Sequence, residues 1–221
     1  MPKNLNDGAG KKPFPGLKSK LLKIKFWHWT WLGLDAPCVA LTWSYYLAIQ
    51  QDINIPWFAY SSLFLSVWCI YLADRLYDIK SNTSIEHLSS RHFFTYNNQK
   101  WLMVLVRVIA ILLIGHSLFF KIQQLIEIGI LILLTLIYFW IVHSSKSKTP
   151  FFKETLSTPI FAAGVLLPIY IFHPQPLQLF YWGFLLTLLV FQNLIQISYW
   201  EKEKDLHNGS ASILQKVTLL N

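Results

Sequence analysis

Charge is what this 221-residue chain has least of. Only 14% of its residues are Asp, Glu, Lys or Arg, while 54% are hydrophobic, and this composition is too apolar for a water-soluble domain of this size. Its two cysteines, Cys38 and Cys69, fall inside apolar runs, which excludes a disulfide framework and a cysteine metal site. Motifs of zinc hydrolases, serine acyltransferases, P-loop proteins and thiol oxidoreductases are also missing from the sequence. We therefore expect the lipid bilayer to be the solvent of this chain.

Six apolar runs approach the roughly 20 residues that a helix needs to cross the hydrocarbon core of a bilayer. We place them at residues 29–49, 57–73, 101–120, 125–143, 156–173 and 179–199. This pattern predicts an all-α, polytopic transmembrane helical bundle of about six spans over residues 27–205. A disordered basic arm is predicted over 1–26, since it lacks the apolar core of a secretory signal, and a short tail over 206–221.

Lys and Arg are distributed unevenly around these spans. The amino-terminal arm holds seven, the predicted loop 74–100 holds four, and the predicted loop 144–155 and the tail hold three each. Lys121 is the one basic residue expected on the opposite side, and Arg107 lies within a span. Because basic loops resist translocation, we expect both termini and both long loops in the cytoplasm. Lipid headgroups then explain the net charge of +8, and nucleic acid is not an expected partner.

Two pairs of carboxylates stand at the predicted cytoplasmic ends of spans. Asp74 and Asp78 follow the second span, and Glu201 and Asp205 follow the sixth. If each helix continues through its pair, the spacing of four residues puts both carboxylates on one helix face. Mg²⁺ prefers carboxylate and phosphate oxygens, so two such pairs suit a metal-bound diphosphate whose hydrocarbon tail lies in the bilayer. The alternative is that they are ordinary charges at the level of the headgroups.

On these residues the chain resembles the UbiA superfamily of intramembrane prenyltransferases. Members of that superfamily are helical bundles with one aspartate-rich motif after the second span and another after the sixth. The stretch from Asp74 to Asp78 is similar to the second half of the first motif, Asn-Asp-x-x-Asp-x-x-x-Asp, and Glu201 with Asp205 matches the second, Asp-x-x-x-Asp. The segment from Pro150 to Lys153 is similar to the basic segment that meets the diphosphate in the family.

The resemblance implies a Mg²⁺-dependent transfer of a prenyl group from a prenyl diphosphate to a lipophilic acceptor in the membrane. The two acidic pairs would hold Mg²⁺, and Lys153 and Arg75 would neutralise the diphosphate as it leaves. The alternative for Lys153 is an ordinary basic residue of a cytoplasmic loop. The chain departs from the family in two respects. Ile70 and Tyr71 stand where the first motif begins with Asn and Asp, and six spans are predicted where the family usually has nine. A divergent or truncated member fits both departures.

Other polar residues fall at membrane depth. Asp35 is expected either in a polar cavity wall or as a helix-start residue with Pro37 in the first turn. Asn193, on the sixth span, is expected either to line the substrate pocket or to hydrogen-bond a neighbouring helix. Arg107 and His116, on the third span, are expected as a snorkelling or paired charge and a packed imidazole.

Three functions follow from the sequence. The first is the prenyltransferase, in a bacterial inner (plasma) membrane, because the chain is compact and shows no targeting peptide. The second is a catalytically degenerate relative that binds a lipid or a partner protein. The third is a small transporter that uses Asp35 and Arg107 as its intramembrane charges.

Overall fold

A computed structural model describes residues 29–81, 90–144 and 150–208, and these ranges are all-helical, without strands. We number the helices in chain order. They are α1 (Asp35–Gln50), α2 (Trp57–Ser81), α3 (Ser90–Asn97), α4 (Gln99–Ser117), α5 (Ile122–Ser144), α6 (Pro150–Phe172) and α7 (Pro176–Asn208). The all-α fold class predicted from the apolar runs is confirmed.

Four of these helices contain segments long and apolar enough to cross a membrane. The segments are Gln99–Ser117, Ile122–Val142, Thr155–Phe172 and Leu177–Gln196. Many of their large apolar side chains are exposed on the isolated chain, among them Ile111, Ile122 and Phe180, as expected where lipid replaces water as the neighbour. The chain is therefore a helical membrane protein.

The predicted count of six spans is not confirmed, because neither α1 nor α2 contains a segment that is both long enough and apolar enough to cross a membrane. Helix α1 has 16 residues, which corresponds to about 24 Å of helix, less than the ~30 Å hydrocarbon core. Helix α2 has 25 residues and is long enough. Its sequence is more polar, however, with serines early and charged residues late.

Two predicted boundaries are wrong. Residues 74–100 were expected as a loop, but α2 continues to Ser81 and residues 90–97 form α3. The first span was expected from residue 29, but only residues 29–31 are helical before a break at 32–34. The fifth span, expected over 156–173, agrees with the apolar segment Thr155–Phe172, although α6 itself begins at Pro150 and encloses two prolines. The arm at 1–26 and residues 209–221 of the tail lie outside the described residues, and 206–208 belong to α7.

Helices α2 and α6 occupy the middle of the packing. Helix α2 packs against α1, α4 and α6, and α6 also packs against α1, α5 and α7. The first residues of α2 contact the last residues of α4 and α6, since the rings of Trp57 and His116, and those of Phe58 and Phe172, are 6.1 Å apart. Both α4 and α6 therefore run antiparallel to α2. We call this side of the bundle the aromatic end.

The opposite side is the end where α2 terminates and α6 begins. Helix α7 follows α6 after only three residues and packs along it, so α7 runs back and also terminates there. We call this side the acidic end, after the carboxylates of α2 and α7.

Small residues let the central helices approach closely. Ala40, Ala48, Ala59 and Ala162 are buried in the main core, which is formed by α1, α2, α6 and α7. Close contact of this kind drives association of helices in lipid, where apolar burial alone supplies little. A second, smaller cluster joins α2 to α4.

Candidate functional site

The residues predicted to bind the metal and the diphosphate fall at one end of the bundle. Asp74 and Asp78 lie near the end of α2, Lys153 near the start of α6, and Glu201 and Asp205 near the end of α7. These segments all belong to the acidic end. The structure describes the backbone of Lys153, Glu201 and Asp205 but not their side chains. These three residues are therefore placed only by their position along the helices.

Helix α2 continues through its acidic pair, and this sets the direction of both carboxylates. Leu63, Val67, Asp74 and Asp78 are separated by four, seven and four residues, a spacing that keeps all four on one face of a helix. Leu63 is buried in the main core and Val67 packs against it. Asp74 and Asp78 are half-buried, and they continue the core-facing stripe of α2 to the acidic end.

Metal binding by this pair stays a prediction. Within residues 29–81, 90–144 and 150–208, no three His, Cys, Asp or Glu side chains that the structure describes come together as a possible metal site. Asp74 and Asp78 supply two of the four predicted ligands, and the other two lie on α7. Helices α2 and α7 have α6 as a common neighbour, and both end at the acidic end, where α6 begins.

Arg75 has a structural partner that the sequence did not indicate. Its side chain is 8% exposed and donates to the carbonyl oxygens of Trp31 at 2.6 Å and Thr30 at 3.1 Å. The same guanidinium donates to the Tyr71 hydroxyl at 3.1 Å and lies 4.4 Å above the centre of the Tyr71 ring. A buried cation without hydrogen bonds would be costly, and here carbonyl oxygens and the electron-rich ring face stabilise it.

Gly33 allows the chain to fold onto this cation. Its φ is +68°, a left-handed conformation that costs a residue with a side chain about 1–2 kcal/mol. A Cβ at this position would lie 2.4 Å from Cδ1 of Tyr71. The ring of Tyr71 therefore occupies the space that any other residue at position 33 would need.

We call residues 30–33 the docked segment, because α2 holds it by three side chains. Besides Arg75 and Tyr71, the indole of Trp68 donates to the carbonyl oxygen of Leu32 at 2.9 Å. Trp68, Tyr71 and Arg75 are separated by three and four residues, so they share one face of α2. These side-chain donors bind carbonyl groups that a continuous helix would have satisfied. The sequence alone does not indicate that this face binds a distant segment, although the regular spacing of Trp, Tyr and Arg is visible in it.

Asp35 begins α1 directly after the docked segment. Pro37 follows in the first turn and is buried, so the prediction of a helix-start residue fits the observed boundary. The N-cap position is Leu34, which has no side chain that can cap the helix, and the buried Oδ1 of Asp35 has no hydrogen-bond partner among the described residues. The alternative role in a cavity wall stays a prediction.

Asn193 lies on the outer surface of α7. Its side chain is exposed, and no residue of the described ranges forms a hydrogen bond with it. Both expectations for Asn193, pocket lining and interhelical bonding, thus stay predictions.

Comparison with known proteins adds no relative. No family model, curated protein or solved structure matches the chain.

Proposed function

We propose that the protein is an integral membrane prenyltransferase of the UbiA type, with six membrane-crossing helices, that moves a prenyl group from a prenyl diphosphate to a lipophilic acceptor. The observation that carries this proposal is the stripe of α2 on which Asp74 and Asp78 continue a face that packs in the main core. Acidic residues that serve only as headgroup-level charges have no reason to follow the core-facing stripe of their helix. The location of the ends of α2 and α7 and the start of α6 at the same end of the bundle is the second support.

Each polar residue has a distinct role in this proposal. Asp74, Asp78, Glu201 and Asp205 would hold Mg²⁺, which neutralises the diphosphate oxygens and so makes diphosphate a better leaving group. Lys153, at the start of α6, stabilises the negative charge that grows on the leaving group. Arg75 hydrogen-bonds the carbonyl oxygens of Trp31 and Thr30, so it could contact the diphosphate only by releasing the docked segment.

The proposed orientation puts the acidic end in the cytoplasm of a bacterium. It rests on the basic residues of the sequence, because Lys100 lies in the first turn of α4 at the acidic end, and Lys121 is the one Lys or Arg among the described residues at the aromatic end. Exposed tryptophans lie near both ends of the bundle, with Trp101 at the acidic end and Trp57 at the aromatic end, as expected at the level of the headgroups.

Binding of a prenyl diphosphate tests the proposal directly. The full chain in nanodiscs is titrated with labelled farnesyl or geranylgeranyl diphosphate, with and without Mg²⁺. We expect binding that requires Mg²⁺ and is weakened at least about tenfold, or by 1.4 kcal/mol, in Asp78→Asn and in Asp205→Asn. Asp52→Asn is the matched control, because Asp52 is exposed in the turn at the aromatic end.

Three results would contradict the proposal. They are the absence of any diphosphate binding, binding that ignores Mg²⁺, and equal affinities for the wild type and Asp78→Asn. An equal loss in Asp52→Asn would also contradict it, since the effect would then come from net charge. Product formation is assayed separately with a panel of lipophilic aromatic acceptors.

One observation favours the second candidate, a catalytically degenerate relative. Tyr71 stands where the family's first motif has Asp, and it is committed, together with Arg75, to holding the docked segment. In that case prenyl diphosphate or another lipid binds but no product forms with any acceptor. Binding without turnover in the assays above distinguishes this candidate from the enzyme.

A further inference from the structure

An open groove runs between α2 and α4 on the side of α2 away from its acidic stripe. Its volume is about 280 Å³, and it is lined by Ala73, Leu76, Tyr77, Met103, Val106 and Arg107. Successive residues of a helix are about 100° apart, so Ala73, Leu76 and Tyr77 lie on a face that Asp74 and Asp78 do not share. The groove is therefore separate from the candidate metal site.

Arg107 places a positive charge in this groove at membrane depth. It lies eight residues after Gln99, the first residue of α4, which is about 12 Å along the helix axis. Its side chain is exposed and forms no hydrogen bond or ion pair with any residue of the described ranges. An ionisable group at this depth normally has a partner.

No described residue forms an ion pair with Arg107, and the nearby carboxylates of Asp74 and Asp78 lie on another face of α2. Glu127 is the other charged residue inside the α4 and α5 apolar segments, but it lies five residues after the start of α5, near the aromatic end. Side chains lean toward the amino terminus of their own helix, so Arg107 is directed toward the acidic end and Glu127 toward the aromatic end. Their charges are displaced in opposite directions.

We propose that this groove binds an anionic phospholipid of the leaflet at the acidic end. The phosphate of the lipid accepts hydrogen bonds from the planar guanidinium of Arg107, which matches phosphate oxygens in pairs. The part of one acyl chain nearest to the headgroup lies along Leu76, Met103 and Val106. A volume of about 280 Å³ is at the lower limit of small-molecule sites, so the groove holds only that part of the lipid, while the rest stays in the bilayer.

The charge of the lipid follows from the composition of the groove. Among the described residues that line it, Arg107 is the one charged residue, and none is a carboxylate that could receive the cationic group of a zwitterionic headgroup. Basic pockets between membrane helices are typical sites for anionic headgroups. The groove does not depend on the prenyltransferase proposal, since none of its residues belongs to the predicted metal set.

Competition between two lipids tests this site. The full chain is reconstituted in nanodiscs of equal phosphatidylglycerol and phosphatidylcholine, and the lipids that stay bound on release are identified by native mass spectrometry. We expect the wild type to retain phosphatidylglycerol about tenfold over phosphatidylcholine, and Arg107→Gln to lose this preference. Lys100→Gln is the matched control, because Lys100 is an exposed cation of the same helix outside the groove. Ala73→Leu keeps the charge and fills the groove, so it should also reduce lipid retention.

Several outcomes would overturn the proposal. Equal retention of the two lipids by the wild type would show that the site does not require an anionic headgroup. An unchanged preference in Arg107→Gln would show that Arg107 does not bind the lipid. If Lys100→Gln lost the preference equally, the effect would be general attraction to the headgroups. Displacement of the lipid by glycerol 3-phosphate would assign the site to a soluble phosphate. A dimer that dissociates in Arg107→Gln would assign the groove to a second copy of the chain.

Discussion

Replacement of Gly33 by Ala tests whether the docked segment is a rigid part of the fold. Position 33 combines a φ of +68° with a Cβ site that is 2.4 Å from Cδ1 and 2.6 Å from Cε1 of Tyr71. The ring cannot easily retreat, because it lies beneath the guanidinium of Arg75 at 4.4 Å. Either the backbone turn or the ring contact must therefore change in the variant.

The expected cost has two sources. The left-handed conformation costs Ala about 1–2 kcal/mol, and forcing an extra carbon into a packed contact typically costs about 1–3 kcal/mol. Together they should lower the free energy of unfolding by about 2–5 kcal/mol, a large part of the roughly 5–15 kcal/mol that stabilises a typical protein.

Unfolding by SDS in mixed micelles, followed by circular dichroism, measures this loss. Gly129→Ala is the control, because a Cβ at Gly129 meets no atom within 4 Å, and Ala in a helix interior should raise the free energy of unfolding by about 0.5–1 kcal/mol. A Gly33→Ala protein as stable as the wild type would refute the structure of the docked segment. So would a double-mutant cycle with Tyr71→Ala that shows no coupling between the two positions.

Two further predictions concern Arg75 and His116. Arg75→Lys should destabilise the fold by about 1–3 kcal/mol, because an ammonium group does not reproduce the planar guanidinium that bridges the carbonyl oxygens of Thr30 and Trp31. The measurement is amide hydrogen exchange at Gly33, which should become faster in the variant. Unchanged exchange would contradict the interpretation. The Nδ1 atom of His116 is 2.8 Å from the carbonyl oxygen of Leu112, while its buried Nε2 has no partner among the described residues. His116→Phe should therefore leave the free energy of unfolding unchanged or raise it by about 1 kcal/mol, as measured by the same SDS titration; a loss of more than that would mean that Nε2 has a partner in the membrane.

Helix content and helix type were accessible from the sequence because they depend on local patterns. Apolar runs of about 20 residues predict membrane helices, and the centres of α4, α5, α6 and α7 fall where those runs do. The spacing of Asp74 and Asp78 depended only on the helix continuing to Ser81, which it does. Whether those carboxylates bind Mg²⁺ stays a prediction.

The tertiary structure decided which partner each polar side chain has. Arg75 follows Asp74 in a motif that resembles a diphosphate site, so the sequence pointed to phosphate. The fold instead brings to it the carbonyl oxygens of residues more than forty positions earlier. Hydropathy likewise predicted one continuous first span, because a sliding window does not register the break that Gly33 permits. Local sequence sets helix formation and depth in the bilayer, whereas the partners of a buried charge depend on which distant segment packs against it.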